Sequence, residues 1–85
     1  MSIISIRFNN FFEEYKMDVI VGKRIKELME IEKINQTTLA KRIGVRQNTV
    51  SSWILNKKEP NITSLWLLAD YFDVDIDYLV GRKSF

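Results

Sequence analysis

The sequence contains neither cysteine nor histidine, and this removes several kinds of chemistry at once. Without cysteine there is no disulfide, thiol nucleophile or thiolate metal ligand, and without histidine there is no imidazole ligand or ordinary general base near neutral pH. Metal sites made of carboxylates stay open, but no acidic motif supports one. We therefore expect no enzymatic activity, no metal and no cofactor.

Long apolar runs are also missing. No stretch approaches the ~18 apolar residues of a membrane-spanning helix, and the first residues lack the basic start and cleavage site of a signal peptide. From 85 residues we expect one domain with a modest core and no effector-binding domain of ordinary size. We expect a cytoplasmic protein that does not associate with membranes.

Apolar residues recur at helical intervals on both sides of Gly44. Because glycine readily takes a positive φ, Gly44 suits a tight turn between two short helices. A small residue, Ala40, lies four positions earlier, where the two helices would cross. The apolar positions of the pair are Leu39, Ala40, Ile43, Val45, Val50, Trp53 and Ile54.

The outer face of the second helix is polar and carries no acid. It consists of Gln47, Asn48, Ser51 and Ser52, whose side chains are short and carry donors and acceptors. Amide side chains can pair bidentately with the edge of adenine in the DNA major groove. This outline is that of a DNA-reading helix-turn-helix, although polar outer faces are also common in small helical proteins.

The joint pattern resembles the phage repressor, Cro and xenobiotic-response-element (XRE) family of helix-turn-helix regulators, over residues 22–81. The positions that carry the resemblance are Gln36, Ala40, Gly44, Val45, Val50, Trp53 and Pro60. It implies an all-α, five-helix, lambda-repressor-like DNA-binding domain. We divide the chain into an N-terminal extension (1–21), the helix-turn-helix domain (22–81) and a tail (82–85).

Periodicity and capping residues predict the limits of the five helices. We expect helices at about Val19–Ile31, Gln36–Ile43 and Gln47–Leu55, then one from the Asn61 cap through Phe72 and one beginning at the Asp75 cap. Asn35 should cap the second helix, and Asn56 should end the third.

The resemblance also implies contact roles. Base reading falls to the start and exposed face of the third helix: Arg46, Gln47, Asn48, Ser51 and Ser52. Phosphate binding falls to Gln36, Lys41, Arg42, Lys57, Lys58, Asn61 and Thr63. Gln36 would also brace Gln47, and Thr49 would be structural.

Positive charge is concentrated around this surface. Residues 22–60 hold nine Lys or Arg against four Glu, whereas residues 61–85 balance at −2 and residues 1–21 at −1. Such a distribution suits phosphate binding. Four of the cations, on or just after the first helix, are expected to be a solvated face: Lys23, Arg24, Lys26 and Lys33.

Two departures from the family pattern stand out. Arg46 replaces the usual serine or threonine N-cap, and Ile54-Leu55 replaces polar residues after the tryptophan. The extension adds apolar residues, arranged as a short strand or an extra helix that folds back or forms a dimer contact. The residues predicted for a dimer interface are Ile54, Leu55, Trp66, Leu67, Phe8, Phe11 and Phe12.

The leading hypothesis is a sequence-specific transcriptional regulator that binds double-stranded DNA, acting as a homodimeric repressor on a palindromic operator. The alternative is a protein-interaction module of the same fold, such as an antitoxin-type protein with weak or no DNA binding. The sequence does not identify a protein partner such as a toxin or antirepressor.

Overall fold

The computed structural model describes residues 18–82, with side chains from residue 20. This range forms five α-helices and no strand, as the sequence predicts. The strand or helix expected in the extension, with Phe8, Phe11 and Phe12, lies outside the described residues. The helices are α1 (Asp18–Glu32), α2 (Gln36–Ile43), α3 (Gln47–Ile54), α4 (Ile62–Phe72) and α5 (Ile76–Leu79).

Asparagine caps two of the helices at their N-termini, as predicted. The side-chain oxygen of Asn35 accepts a hydrogen bond from the Thr38 amide at 2.8 Å. That of Asn61 accepts from the Ser64 amide, also at 2.8 Å. Each cap satisfies an amide that the helix itself leaves without a partner.

All five helices end in the same backbone reversal. A residue with left-handed φ follows each helix, and the next amide then donates to a carbonyl five residues earlier, over 2.8–3.0 Å. This is the pattern of a Schellman motif. The left-handed residues are Lys33, Gly44, Asn56, Asp73 and Gly81. Every inter-helix connection therefore begins in a fixed direction.

The core lies where all five helices meet. Its fully buried side chains are Ile25 on α1, Leu39 on α2, Val50 on α3, Leu68 on α4 and Leu79 on α5. Each helix thus contributes at least one residue that solvent does not reach. Burial of this kind is the main favourable term for folding, at ~25 cal/mol per Å² of apolar surface.

Helix α1 differs from its prediction in two respects. It begins at Asp18, and Val21 is part of the core, so the helical unit starts before the boundary drawn at residue 22. Arg24 was expected to be solvated, but its guanidinium lies 4.1 Å from the centre of the Tyr78 ring. This cation–π contact links α1 to the region of α5 because the two helices pack side by side.

Gly22 allows α1 to approach the end of α3. A Cβ added at Gly22 would overlap the Trp53 carbonyl oxygen and would lie 2.9 Å from the side-chain oxygen of Asn56. Backbone atoms cannot yield as a flexible side chain can. The packing of α1 against α3 therefore requires glycine at this position.

Candidate nucleic-acid interface

The turn between α2 and α3 consists of three residues, 44–46. Gly44 has φ 80° and donates its amide hydrogen to the Ala40 carbonyl at 2.9 Å. The Val45 amide donates to the same oxygen at 3.0 Å, and the Val45 side chain packs against the core. The short connection and the partly buried Val45 side chain hold α3 in one orientation relative to α2.

Helix α3 separates into two faces. Val50 and Trp53 are buried in the core, whereas Gln47 and Asn48 are exposed and Ser51 is half-buried. No acidic side chain lies on α3. The helix therefore presents amides and a hydroxyl, which can both donate and accept hydrogen bonds, on the side away from the core.

A side-chain hydrogen bond joins the first residues of α2 and α3. Nε2 of Gln47 donates to Oε1 of Gln36 at 2.6 Å. The contact confirms the predicted brace between these two glutamines. Because each side chain restricts the other, the Gln47 amide is held in place before any ligand arrives.

Two other predicted base-reading residues, Arg46 and Ser52, differ in whether their side chains form hydrogen bonds within the chain. Arg46 occupies the N-cap position without a capping side-chain bond, and its side chain is exposed. Ser52, predicted to read bases, donates its hydroxyl hydrogen to the Thr49 carbonyl at 2.7 Å. The Ser52 hydroxyl is therefore partly committed within its own helix, and Ser51 has the more available hydroxyl of the pair.

The predicted phosphate-binding residues after α3 are exposed. The Lys57 amide donates to the Ser52 carbonyl at 2.8 Å, so its backbone position is fixed by the reversal at Asn56. Lys57 follows the left-handed residue after α3, and Val45 follows the left-handed residue after α2. Val45 is apolar and packs against the core, whereas Lys57 is exposed. The other exposed candidates in this region are Lys58, Asn61 and Thr63.

The remaining cationic candidates, Lys41 and Arg42, lie in the last turn of α2 and are both exposed. The Arg42 guanidinium lies 6.0 Å from the centre of the Tyr71 ring on α4. This distance is at the outer limit of a cation–π contact. Arg42 is therefore directed partly towards α4, whereas Lys41 has no such contact among those described.

The candidate dimer residues divide into two groups. Ile54 and Leu67 are half-buried and pack against the core, so neither offers its whole side chain to another chain. Leu55 and Trp66 are 59% and 61% exposed. Ile62 is 81% exposed, and the sequence did not indicate it because the polar residues on both sides of it, Asn61 and Thr63, are typical of phosphate contacts.

Two further properties of residues 18–82 bear on function. No helix in this range is long and apolar enough to cross a membrane. No group of three or more acidic residues in it could hold a metal ion.

Two short helices meeting at a glycine turn, with α3 buried on one face and polar on the other, define the helix-turn-helix class.

The chain belongs to the helix-turn-helix family, whose family model matches residues 25–79. The family is one of DNA-binding transcription regulators and not typically of enzymes.

Solved structures with a similar fold include two of the P22 c2 repressor. The P22 c2 repressor in complex with a synthetic operator matches 75% of this chain and 97% of its own, with 31% identity and a TM-score of 0.71. The NMR structure of the P22 c2 repressor DNA-binding domain matches 72% of this chain and 80% of its own, with 33% identity and a TM-score of 0.68.

Curated relatives come from Bacillus subtilis (strain 168). The HTH-type transcriptional regulator YobD is 29% identical over 59 residues, which are 69% of this chain and 53% of YobD. The HTH-type transcriptional regulator ImmR is 27% identical over 64 residues, which are 75% of this chain and 50% of ImmR. The chain therefore matches about half the length of these relatives.

Proposed function

We propose that this chain is a sequence-specific transcriptional regulator that binds double-stranded DNA through α3. The observation that carries the proposal is the Gln36–Gln47 hydrogen bond, because it orients an exposed amide at the start of an acid-free helix. Membership of the helix-turn-helix family and the likeness to an operator-bound repressor support the same function.

The braced amide of Gln47 keeps the groups that base reading needs. A glutamine amide has two N–H hydrogens and one carbonyl oxygen, and Gln36 accepts only one of those hydrogens. The other hydrogen can donate to N7 of adenine while the oxygen accepts from N6. Asn48, Ser51, Arg46 and, to a lesser degree, Ser52 complete the base-reading set.

Phosphate contacts on either side of α3 would fix its register in the groove. Gln36 lies at the N-terminus of α2, where the helix dipole favours an anion. Its side-chain oxygen accepts the hydrogen bond from Gln47, so its NH2 group can still donate to a phosphate. The basic and polar residues on the far side contribute without reading sequence. The proposed phosphate-binding set is Gln36, Lys41, Arg42, Lys57, Lys58, Asn61 and Thr63.

The regulator would act as a homodimer and repress transcription by occluding polymerase. Two recognition helices in successive major grooves place the half-site centres of a palindromic operator ~34 Å apart. Leu55 and Ile62, which flank the α3–α4 loop and are largely exposed, are the best candidates for the contact between subunits. Phe8, Phe11 and Phe12 of the extension would add apolar area.

Selection of bound sequences from a random duplex pool tests this function directly. Enrichment of a palindrome with half-sites one helical turn apart would support a dimeric operator binder. The Gln47→Ala variant, run in parallel, should enrich a motif that has lost preference at one position of each half-site. Recovery of random sequence by the unmodified chain would contradict sequence-specific binding.

A second candidate function is a protein-interaction module that has kept the fold but does not bind DNA, and the exposed apolar side chains of Leu55, Ile62 and Trp66 favour it. Salt titration separates the two functions. A protein that contacts several phosphates loses orders of magnitude in duplex affinity between low and moderate salt. A pure interaction module shows no duplex binding at either salt concentration.

A further inference from the structure

A shallow groove of about 310 Å³ separates the second half of α4 from the start of α5. Its apolar part includes Trp66 and Ile76, which are 61% and 36% exposed. None of the residues that line it belongs to the proposed DNA-binding set. The groove is therefore available for a role other than DNA contact.

The charge of the groove has a single sign. Asp70, Asp73 and Asp75 all line it, and no lysine or arginine does. Trp66 and Asp70 are four residues apart, which puts the indole and one carboxylate on the same face of α4. Asp73, the left-handed residue that follows α4, lines the same groove. An indole beside carboxylates offers an apolar surface and an electrostatic attraction for cations at the same place.

We propose that this groove, termed the acidic–aromatic groove, binds a basic, apolar peptide segment of a partner protein. Leucine-like side chains of the peptide would cover Trp66 and Ile76, and its lysines or arginines would pair with Asp70 and Asp73. Buried aromatic residues contribute most of the affinity in many interfaces, and charge complementarity sets partner choice and association rate.

The negative charge of the groove disfavours two other occupants, a second copy of the chain and the chain's own residues 1–17. A second copy placed on the groove about a two-fold axis would bring two sets of aspartates together, and like charges across an interface are costly. The side chains of residues 1–17 of the chain itself have no net positive charge, since Arg7 and Lys16 are balanced by Glu13 and Glu14. A cationic partner is the occupant that complements the groove.

The test uses the full chain labelled with ¹⁵N and a short synthetic peptide of alternating lysine and leucine. The side-chain N–H signal of Trp66 is separated from that of buried Trp53 by its loss in Trp66→Phe. We expect a saturable shift of the Trp66 signal on titration with the peptide. A matched peptide with glutamine in place of lysine should bind at least tenfold more weakly.

Exposed positions allow the groove to be altered without disturbing the core. Asp70→Asn with Asp73→Asn should weaken binding of the basic peptide about 3- to 10-fold, since each exposed ion pair contributes modestly. Asparagine also tolerates the left-handed φ of residue 73. The matched control, Glu30→Gln with Glu32→Gln, removes two exposed acids from α1 and should leave the affinity unchanged.

Three results would overturn the proposal. The first is an unshifted Trp66 signal at saturating peptide, or equal binding by the glutamine-substituted peptide. The second is conversion of a dimer to a monomer by Trp66→Ala in sedimentation, which would assign the groove to a second copy. The third is a Trp66 shift on deletion of residues 1–17, which would assign it to the chain's own extension. DNA binding is measured separately, so its failure would not affect these outcomes.

Discussion

Gln36 and Gln47 are eleven positions apart in sequence, yet the amide nitrogen of the second lies 2.6 Å from the side-chain oxygen of the first. Each is the first residue of its helix. The bond therefore joins a candidate phosphate contact directly to a candidate base contact. Displacement of either side chain should therefore change the position of the other.

A double-mutant cycle at these two residues measures that coupling. Gln47→Ala should cost ~1–3 kcal/mol of operator affinity because one base contact is lost. Gln36→Ala should cost less by itself, and the double variant should lose less than the sum, because residues in contact are not additive. Binding is measured by titration of labelled duplex. Strict additivity, or an equal loss of affinity for random duplex in Gln47→Ala, would contradict the role given to the pair.

Lys57→Ala should weaken binding to operator and random duplex alike. The Lys57 backbone is held by the reversal at Asn56, so we expect its ammonium to neutralise one phosphate and the salt slope to fall by about one unit in the variant. Lys26→Ala removes an exposed cation from α1 and is the matched control. A salt slope that changes equally in both variants would remove Lys57 from the phosphate set.

Arg46→Ser should change stability and DNA affinity in opposite directions. Serine at this N-cap position adds a capping bond worth about 1 kcal/mol, or ~4–8 °C in Tm for a domain of this size. The loss of the guanidinium should weaken DNA binding. Arg46→Ala lowers affinity in the same way without adding the cap, so the two variants should differ in Tm but not in affinity. Unchanged affinity in both would make Arg46 a solvent-exposed turn residue.

Gly22→Ala should destabilise the fold by about 2–3 kcal/mol, because the added methyl group overlaps the carbonyl of Trp53 and forces α1 away from α3. Gly44→Ala is the comparison. A Cβ there meets nothing within 4 Å, so the expected cost of ~1–2 kcal/mol comes from its positive φ alone. Urea unfolding measures both. A larger loss in Gly44→Ala would contradict the close approach of α1 to α3.

Ile62→Glu should abolish dimerisation while the subunit stays folded. The side chain is 81% exposed in the subunit, and an acid in the first turn of a helix is favourable, whereas a carboxylate buried at an interface costs several kcal/mol. Ile31→Glu alters another largely exposed isoleucine, at the end of α1, and is the control. Sedimentation equilibrium gives the oligomeric state. An unchanged species for Ile62→Glu would exclude this residue from the interface.

Local signals in the sequence were sufficient for the helices and for the glycine turn that positions the candidate site. Gly44, Asn35 and Asn61 have side chains whose chemistry favours a turn or a cap, and the structure uses them in that way. Lys33 and Asp73 end helices in the same left-handed conformation. A lysine side chain does not favour this conformation, so Lys33 could not be predicted from its residue type, although the next residue, Ile34, packs against the core.

Contacts between residues that are far apart in sequence could not be predicted from local patterns. The Arg24–Tyr78 stacking joins residues that are far apart in sequence, so the helical periodicity of α1 could only mark Arg24 as polar. Burial of Ile54 and Leu67 likewise depends on how α3 and α4 are placed against the core. Helical periodicity shows which residues lie on the same face of a helix, but the neighbouring helices determine how wide the buried face is.

The division of α3 into two faces makes recognition and folding largely separable. Val50 and Trp53 hold the helix in the core, whereas Gln47 and Asn48 are exposed and Ser51 is half-buried. Substitutions at these outer positions could therefore change the preferred operator without unfolding the protein. Under the proposed function, one backbone would support different DNA preferences, set by the outer residues of α3, by Arg46 at its N-cap and by the Gln36 that braces Gln47.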